Sequence, residues 1–301
     1  MKRFSKNEVR GTFLILLTAF VSGFSIIANK FFVAKIDPLV FTALRGLFIG
    51  LIFLLISFYF YRKEGSKEFK KTSWANLLLI GAVGGAFAFW LFFSGLKMTS
   101  GVRAAFLHKT LPIYAVILAF VFLKEKISKR QLIAMGAMLG GLVLMELVNL
   151  SMEMRIGDLL VLGATVLWAV ENTISKRAML DNESNWVVTF SRMFFGSIVL
   201  FAVIFLMGKL DLLLTLNSAQ LVKIAVSGSL LFVYVLTWYW GLKYINLSKA
   251  STILLLAPVV SLFFGIVWLG ESISALQMAG SVLILIGAYF VVGVRSEKRA
   301  S

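Results

Sequence analysis

Ten apolar stretches, each long enough to cross a bilayer as a helix, follow one another along the whole chain with only short polar loops between them. They cover residues 12–35, 39–61, 74–98, 102–123, 129–150, 157–180, 186–208, 219–244, 249–269 and 274–294. An α-helix rises about 1.5 Å per residue, so about 20 such residues match the roughly 30 Å of hydrocarbon in a membrane. With 60% hydrophobic and 15% charged residues and a mean hydropathy of +0.93, a chain of 301 residues has too little polar surface for a soluble globule. The pattern predicts an all-α membrane protein of ten transmembrane helices. The first apolar run lacks a small-residue cleavage site and reads as a retained helix.

The basic residues decide the orientation. If the N-terminus is cytoplasmic, 20 of the 30 Lys and Arg residues fall in inside loops, 7 fall outside (Lys30, Lys35, Lys97, Arg103, Arg155, Lys209, Lys223), and Arg45, Lys109 and Arg192 lie within spans. The positive-inside rule then predicts a multi-pass protein of the cell inner membrane with both termini cytoplasmic. The formal charge of +16 is explained by this topology and by attraction to anionic membrane lipid, which leaves no basic stripe for nucleic acid. Without cysteine, and with His108 as the single histidine, thiol chemistry and the usual zinc sets lack ligands, and no cofactor is expected.

A shift of 146 residues lays GLKMTSGVRAAFLHKTLPIYAVILAFVFLKEKISKRQ (95–131) on GLKYINLSKASTILLLAPVVSLFFGIVWLGESISALQ (241–277). Leucines would coincide by chance in so apolar a chain, but Lys97/Lys243, Pro112/Pro258, Glu125/Glu271, Ser128/Ser274 and Gln131/Gln277 also coincide. Gly11/Gly157 and Lys30/Lys176 keep the same offset, and Thr42/Thr189 and Arg45/Arg192 follow after one inserted residue. The chain is thus a duplication, 1–150 and 151–301. Five spans per half force the second copy to enter the membrane upside down, giving two inverted-topology repeats in a single transport unit.

Two halves whose fourth helix carries a mid-span proline and ends in FLKEKIS or WLGESIS resemble the EamA-type branch of the drug/metabolite transporter superfamily. That resemblance covers essentially the full length and implies movement of small metabolites, amino acids among them, between cytoplasm and exterior.

Duplication supplies an internal control: polar residues shared by both copies suggest scaffold, and those in one copy suggest cargo binding. Ser128 with Gln131 and Ser274 with Gln277 read as capping boxes. Glu125 and Glu271 read as charges near helix N-termini. Pro112 and Pro258 free the carbonyls of His108 and Leu254, which at that depth requires a cavity. The glycine pairs Gly46/Gly50, Gly81/Gly85 and Gly136/Gly140 suit close helix contacts. His108 and Lys109 face Leu254 and Leu255 in the other copy, and Glu171 and Asn172 face Ser25 and Ile26. In the resulting hypothesis Lys109, His108 and Arg45 hold a carboxylate, while Glu171 and Asn172 hold an ammonium or exchange a proton. Trp90, Trp168, Tyr234 and Trp238 would form aromatic walls. The alternative is structural: Lys109 neutralises Glu146, and Glu171 neutralises Arg192, with Arg192 and Glu146 as gating or structural charges.

The leading expectation is a secondary transporter, read as an exporter, that moves a small-molecule substrate such as an amino acid by alternating access, with proton coupling through Glu171 or His108 as one option. A membrane-embedded enzyme or a flippase of lipid-linked substrates is the alternative; an enzyme would need clustered carboxylates or histidines, and those present are isolated. No GxxxxGK[ST] loop supports ATP hydrolysis.

Overall fold

The computed structural model describes residues 5–64, 73–147, 154–270 and 272–296, and among them every regular element is helical. We number the long helices in chain order. α1 is Lys6–Val33 and α2 is Pro38–Glu64. α3 runs over Trp74–Met98 with a π-helical segment at Gly81–Phe87. α4 comprises Gly101–His108 and Leu111–Leu123, α5 is Lys129–Glu146, α6 is Ile156–Leu180 and α7 is Asn185–Leu206. α8 is Ser218–Tyr244, α9 joins Leu247–Ile253 to Ala257–Leu269 through a 3-10 turn, and α10 is Ala275–Val292.

Among the described residues, nine of these helices are long and apolar enough to cross a membrane. The shortfall against ten is α5, whose 18 described residues include Lys129, Arg130 and Glu146. The chain is a multi-pass membrane protein.

The prolines act where the sequence places them. α4 is interrupted between His108 and Leu111, and α9 tightens at Leu254–Leu256, in each case just before the proline. Ser128 Oγ caps α5 by accepting from the Gln131 amide at 3.2 Å, and Ser274 caps α10 reciprocally with Gln277. Glu125 goes further than a cap for its own surroundings. Its two oxygens accept from the amides of Leu247 and Ser248 at 2.8 and 3.0 Å, so a carboxylate from one half satisfies the open donors of α9 in the other. Glu271 lies outside the described residues.

Helices pair across the halves: α1 on α8, α3 on α6, α2 on α7 and α5 on α10. Exchanging the first five helices for the second five turns α1–α8 into α6–α3 and returns the other two pairs to themselves. Glycine makes these crossings close. A Cβ on Gly11 would stand 3.2 Å from the Gly241 carbonyl, and one on Gly157 would stand 3.0 Å from that of Gly95. Of the three glycine pairs, Gly50 and Gly81 do meet neighbouring helices tightly, with Phe194 backbone at 2.8 Å and Phe195 Cβ at 2.7 Å. Gly136 meets nothing within 4 Å, because it faces away from the α5–α10 crossing that Gly141 and Gly280 form.

The polar ends match as well. Lys30 Nζ donates to the carbonyls of Leu96 and Thr99 at 2.8 and 2.7 Å. Lys176 donates to those of Leu242 and Ile245, each 146 positions later, and the two lysines thereby close the last turns of α3 and α8. Arg103 pairs with Asp158 at 2.8 Å, and its counterpart Lys249 pairs with Glu8 at 3.3 Å.

Candidate functional site

A cavity of about 70 Å³ lies between α1, α2, α3, α4, α6, α7 and α8. Its polar wall is built from α1, where Ser22, Ser25 and Asn29 recur at helical spacing on one face. Arg45 enters from α2 and Arg192 from α7. His108, at the break in α4, contributes the third basic group.

The two arginines are partnered differently. Arg192 Nη1 lies 3.1 Å from Glu171 Oε2 and donates to the Tyr239 hydroxyl at 3.0 Å. Glu171 also accepts from Tyr239 and, at 2.5 Å, from Ser175. The ion pair is a close contact without hydrogen-bond alignment, since Glu171 Oε2 and Arg192 Nε have no hydrogen-bond partner. Arg45 reaches Ser227 Oγ at 3.3 Å through Nη1, and Asn29 Oδ1 accepts from that serine at 2.5 Å. Its Nε and Nη2 have no partner, although the residue is only 2% exposed. What surrounds its guanidinium is aromatic: the rings of Phe93, Phe89 and Phe41 lie 4.5, 4.8 and 5.4 Å from Cζ. Phe89 is shared, since Arg192 Cζ lies 5.5 Å from the same ring.

Close approach of α3 makes this arrangement possible. In its π-helical segment, Gly84 backs directly onto the Glu171 side chain and Gly85 onto the Arg192 carbonyl, so neither position has room for a Cβ. The Trp168 indole donates to the Gly84 carbonyl at 3.1 Å, and its ring lies 4.9 Å from that of His108. π-Helical turns of this kind are frequent at functional sites.

The sequence-derived residues divide accordingly. Arg45, His108, Trp168, Asn172, Arg192 and Tyr234 line the cavity. Glu171 lies immediately behind the wall on Arg192. Lys109, next to His108, donates to Ser22 Oγ at 2.9 Å and is not among the lining residues. Trp238 stands in a second layer and donates to Asn172 Oδ1 at 2.9 Å. Trp90 packs instead against the apolar cluster of Leu39, Val40 and Leu200. Glu146 is not brought to Lys109; it lines a separate cavity with Lys30, Pro258 and Gln277. Sequence reasoning missed Ser22, Ser25 and Asn29, although a polar stripe at positions i, i+3 and i+7 of an otherwise apolar helix was the available signal. It also missed Tyr239 and Ser175, hidden among many aromatic and small residues.

Comparison with known proteins agrees with the architecture. The model of the EamA-like transporter family matches residues 9–147 and again 155–293, dividing the chain into two similar units. The uncharacterized transporter YoaV of Bacillus subtilis is 27% identical, over 91% of this chain and 94% of its own. A protein named probable amino-acid metabolite efflux pump, from Salmonella typhimurium, is 28% identical over 96% of this chain and 97% of its own. A solved crystal structure with 18% identity shares the fold, with a TM-score of 0.72 over 93% of this chain and 96% of that one. Two family matches in tandem over a multi-pass helical bundle make the chain a membrane transporter belonging to the EamA-like transporter family.

Proposed function

We propose that this protein is a secondary transporter of the inner membrane that exports small polar metabolites carrying a carboxylate, amino acids among them, by alternating access. The observation that carries the reading is Arg45: a guanidinium 2% exposed, with two nitrogens unpartnered, at the wall of a cavity between the two halves. A buried cation without a counter-ion is costly, and a guest carboxylate offsets that cost. Glu171 is assigned to neutralising Arg192, and Lys109 to bracing α1 through Ser22. His108, with Nδ1 unpartnered, is where we place proton exchange. Arg192, Asn172, Trp168 and Tyr234 complete the wall.

The architecture we assign is ten spans in two inverted halves, 1–150 and 151–301, with both termini cytoplasmic. Its support is the exchange symmetry of the helix pairs and the equivalent carbonyl clasps of Lys30 and Lys176. Alternating access then means rocking the halves about the central cavity. The Salmonella relative's name supports amino-acid metabolites as cargo. The test is flux into proteoliposomes over a panel of labelled amino acids and organic acids, with and without a pH gradient. Saturable uptake of carboxylates that disappears in Arg45→Gln supports the reading, and absence of flux for every compound in the panel refutes it.

A further inference from the structure

The duplication contains a substitution that names the chemistry of the cargo. Around Arg192 stand Glu171, Ser175 and Tyr239. Shifted back by 146 residues, these positions are Ser25, Asn29 and Phe93, and Arg192 corresponds to Arg45 after the one-residue insertion. The first half reproduces the constellation in space: Asn29 reaches Arg45 through Ser227, and the Phe93 ring lies against the Arg45 guanidinium as the Tyr239 ring lies against that of Arg192, at 4.5 and 5.7 Å. All three positions differ, and two of the changes bear directly on the arginine. A serine stands where the carboxylate was, and a phenyl ring stands where the phenol was. Both substitutions remove an oxygen that would serve the arginine. The Ser25 hydroxyl is buried without a partner, lines the cavity, and shares it with the two unpartnered nitrogens of Arg45.

We infer that the missing carboxylate is supplied by the cargo: the site takes an organic monocarboxylate whose carboxylate occupies, over Arg45 and Ser25, the place that Glu171 holds over Arg192, with a flat apolar remainder against Phe92, Trp168 and Tyr234. A guanidinium offers two parallel N–H donors to such a group, and the Ser25 hydroxyl can donate a third. The wall carries Arg45 and the Arg192–Glu171 pair, so its net charge favours an anion and disfavours a cationic amine. Ile26, Phe89, Phe92, Phe93, Leu111 and Leu231 make much of the lining apolar, which suits a ring better than a second charge. This rests on the reading of the cavity as the cargo site and narrows its carboxylates to those without an ammonium group, which sets free amino acids aside.

The experiment is thermal unfolding of the purified full chain in detergent, titrated with three probes of one shape: phenylacetate, phenylacetamide and phenethylamine. Phenylacetate is expected to raise the melting temperature in a saturable manner, with the neutral amide and the cationic amine giving no shift. Ser25→Glu is expected to fold as well as the parent without ligand and to lose the phenylacetate response, because its own carboxylate fills the site. Ser25→Ala keeps the response and needs roughly tenfold more phenylacetate, the equivalent of about 1.4 kcal/mol for one lost hydrogen bond to a charged group. Should Ser25→Glu fail to fold, Arg45→Gln decides, and a folded Arg45→Gln that still responds to phenylacetate overturns the inference. Stabilisation by the amine and not the acid overturns it as well. Acid-specific stabilisation in a protein that moves no compound across a bilayer would sink the transport reading while leaving this one standing.

Discussion

Arg192 Nη1 stands 3.1 Å from Glu171 Oε2, and both side chains are almost fully buried. The pair joins α7 to α6, with Arg192 in the cavity wall and Glu171 behind it, and Tyr239 from α8 bonds to both partners. Leaving either ion alone in that interior costs about 3–5 kcal/mol, more than most single contacts contribute.

Glu171→Gln should therefore lower stability by about 3 kcal/mol, and the double variant Glu171→Gln with Arg192→Gln should lose less than the two single losses combined. Thermal unfolding of the four proteins in one detergent measures the coupling. Additive losses would show that the pair is not the neutralising unit described.

The clasps of Lys30 and Lys176 predict paired behaviour. Each binds two carbonyls at a helix end, so Lys30→Met and Lys176→Met should each cost about 1–3 kcal/mol for acceptors left without a donor. Lys176 is the more buried and should be the larger. A neutral result in both would remove the clasps from the account of the fold.

Gly196→Ala and Gly136→Ala separate glycine needed for packing from glycine that is not. A Cβ on Gly196 would meet the Gly85 backbone at 2.6 Å, whereas one on Gly136 meets nothing within 4 Å. Gly196→Ala is expected to cost about 1–3 kcal/mol by overpacking and to lower cargo binding, because it pushes α3 off Arg192. Gly136→Ala is expected to be neutral or to stabilise by up to about 1 kcal/mol from helix propensity. Melting curves with and without ligand read both effects.

His108 is assigned the coupling proton, so His108→Gln should retain exchange of cargo between equal pH values and lose the stimulation by a pH gradient. Parallel flux assays with and without the gradient check this. Unchanged stimulation in His108→Gln would move the proton to another group.

Much of this was legible in the sequence because hydrocarbon imposes a simple rule on helix length and a severe one on charge. The duplication was readable from prolines and capping residues, and the breaks at Lys109 and Thr110 and at Leu254–Leu256 follow from Pro112 and Pro258. Arg45, His108 and Asn172 stand out when one asks which polar residues lack a counterpart or sit deep in a span, and Trp168 stands out as an aromatic one turn before Glu171. What that question could not supply was rotational phase. Lys109 is adjacent to His108, and one residue is a 100° turn of the helix, so one faces the cavity and the other faces α1. Glu171 and Asn172 divide in the same way, one to Arg192 and one to the cavity. Trp90 illustrates a second gap, since its ring serves packing on Leu39 and Leu200, which no single-sequence spacing distinguishes from a cavity wall. The π-helical segment of α3 was also invisible beforehand, because it arises where Gly84 and Gly85 let other helices press in.

Arg45 is where we place the carboxylate of the cargo. The most direct test of that placement is uptake of a radiolabelled aromatic carboxylate into proteoliposomes by the parent protein, Arg45→Lys and Arg45→Gln, at matched amounts of folded protein. Roughly a 100-fold loss is expected for Arg45→Gln, equivalent to about 3 kcal/mol for a charged hydrogen-bonded anchor, and a severe loss for lysine, which lacks the two-pronged geometry. Parent-level uptake by Arg45→Gln would contradict it.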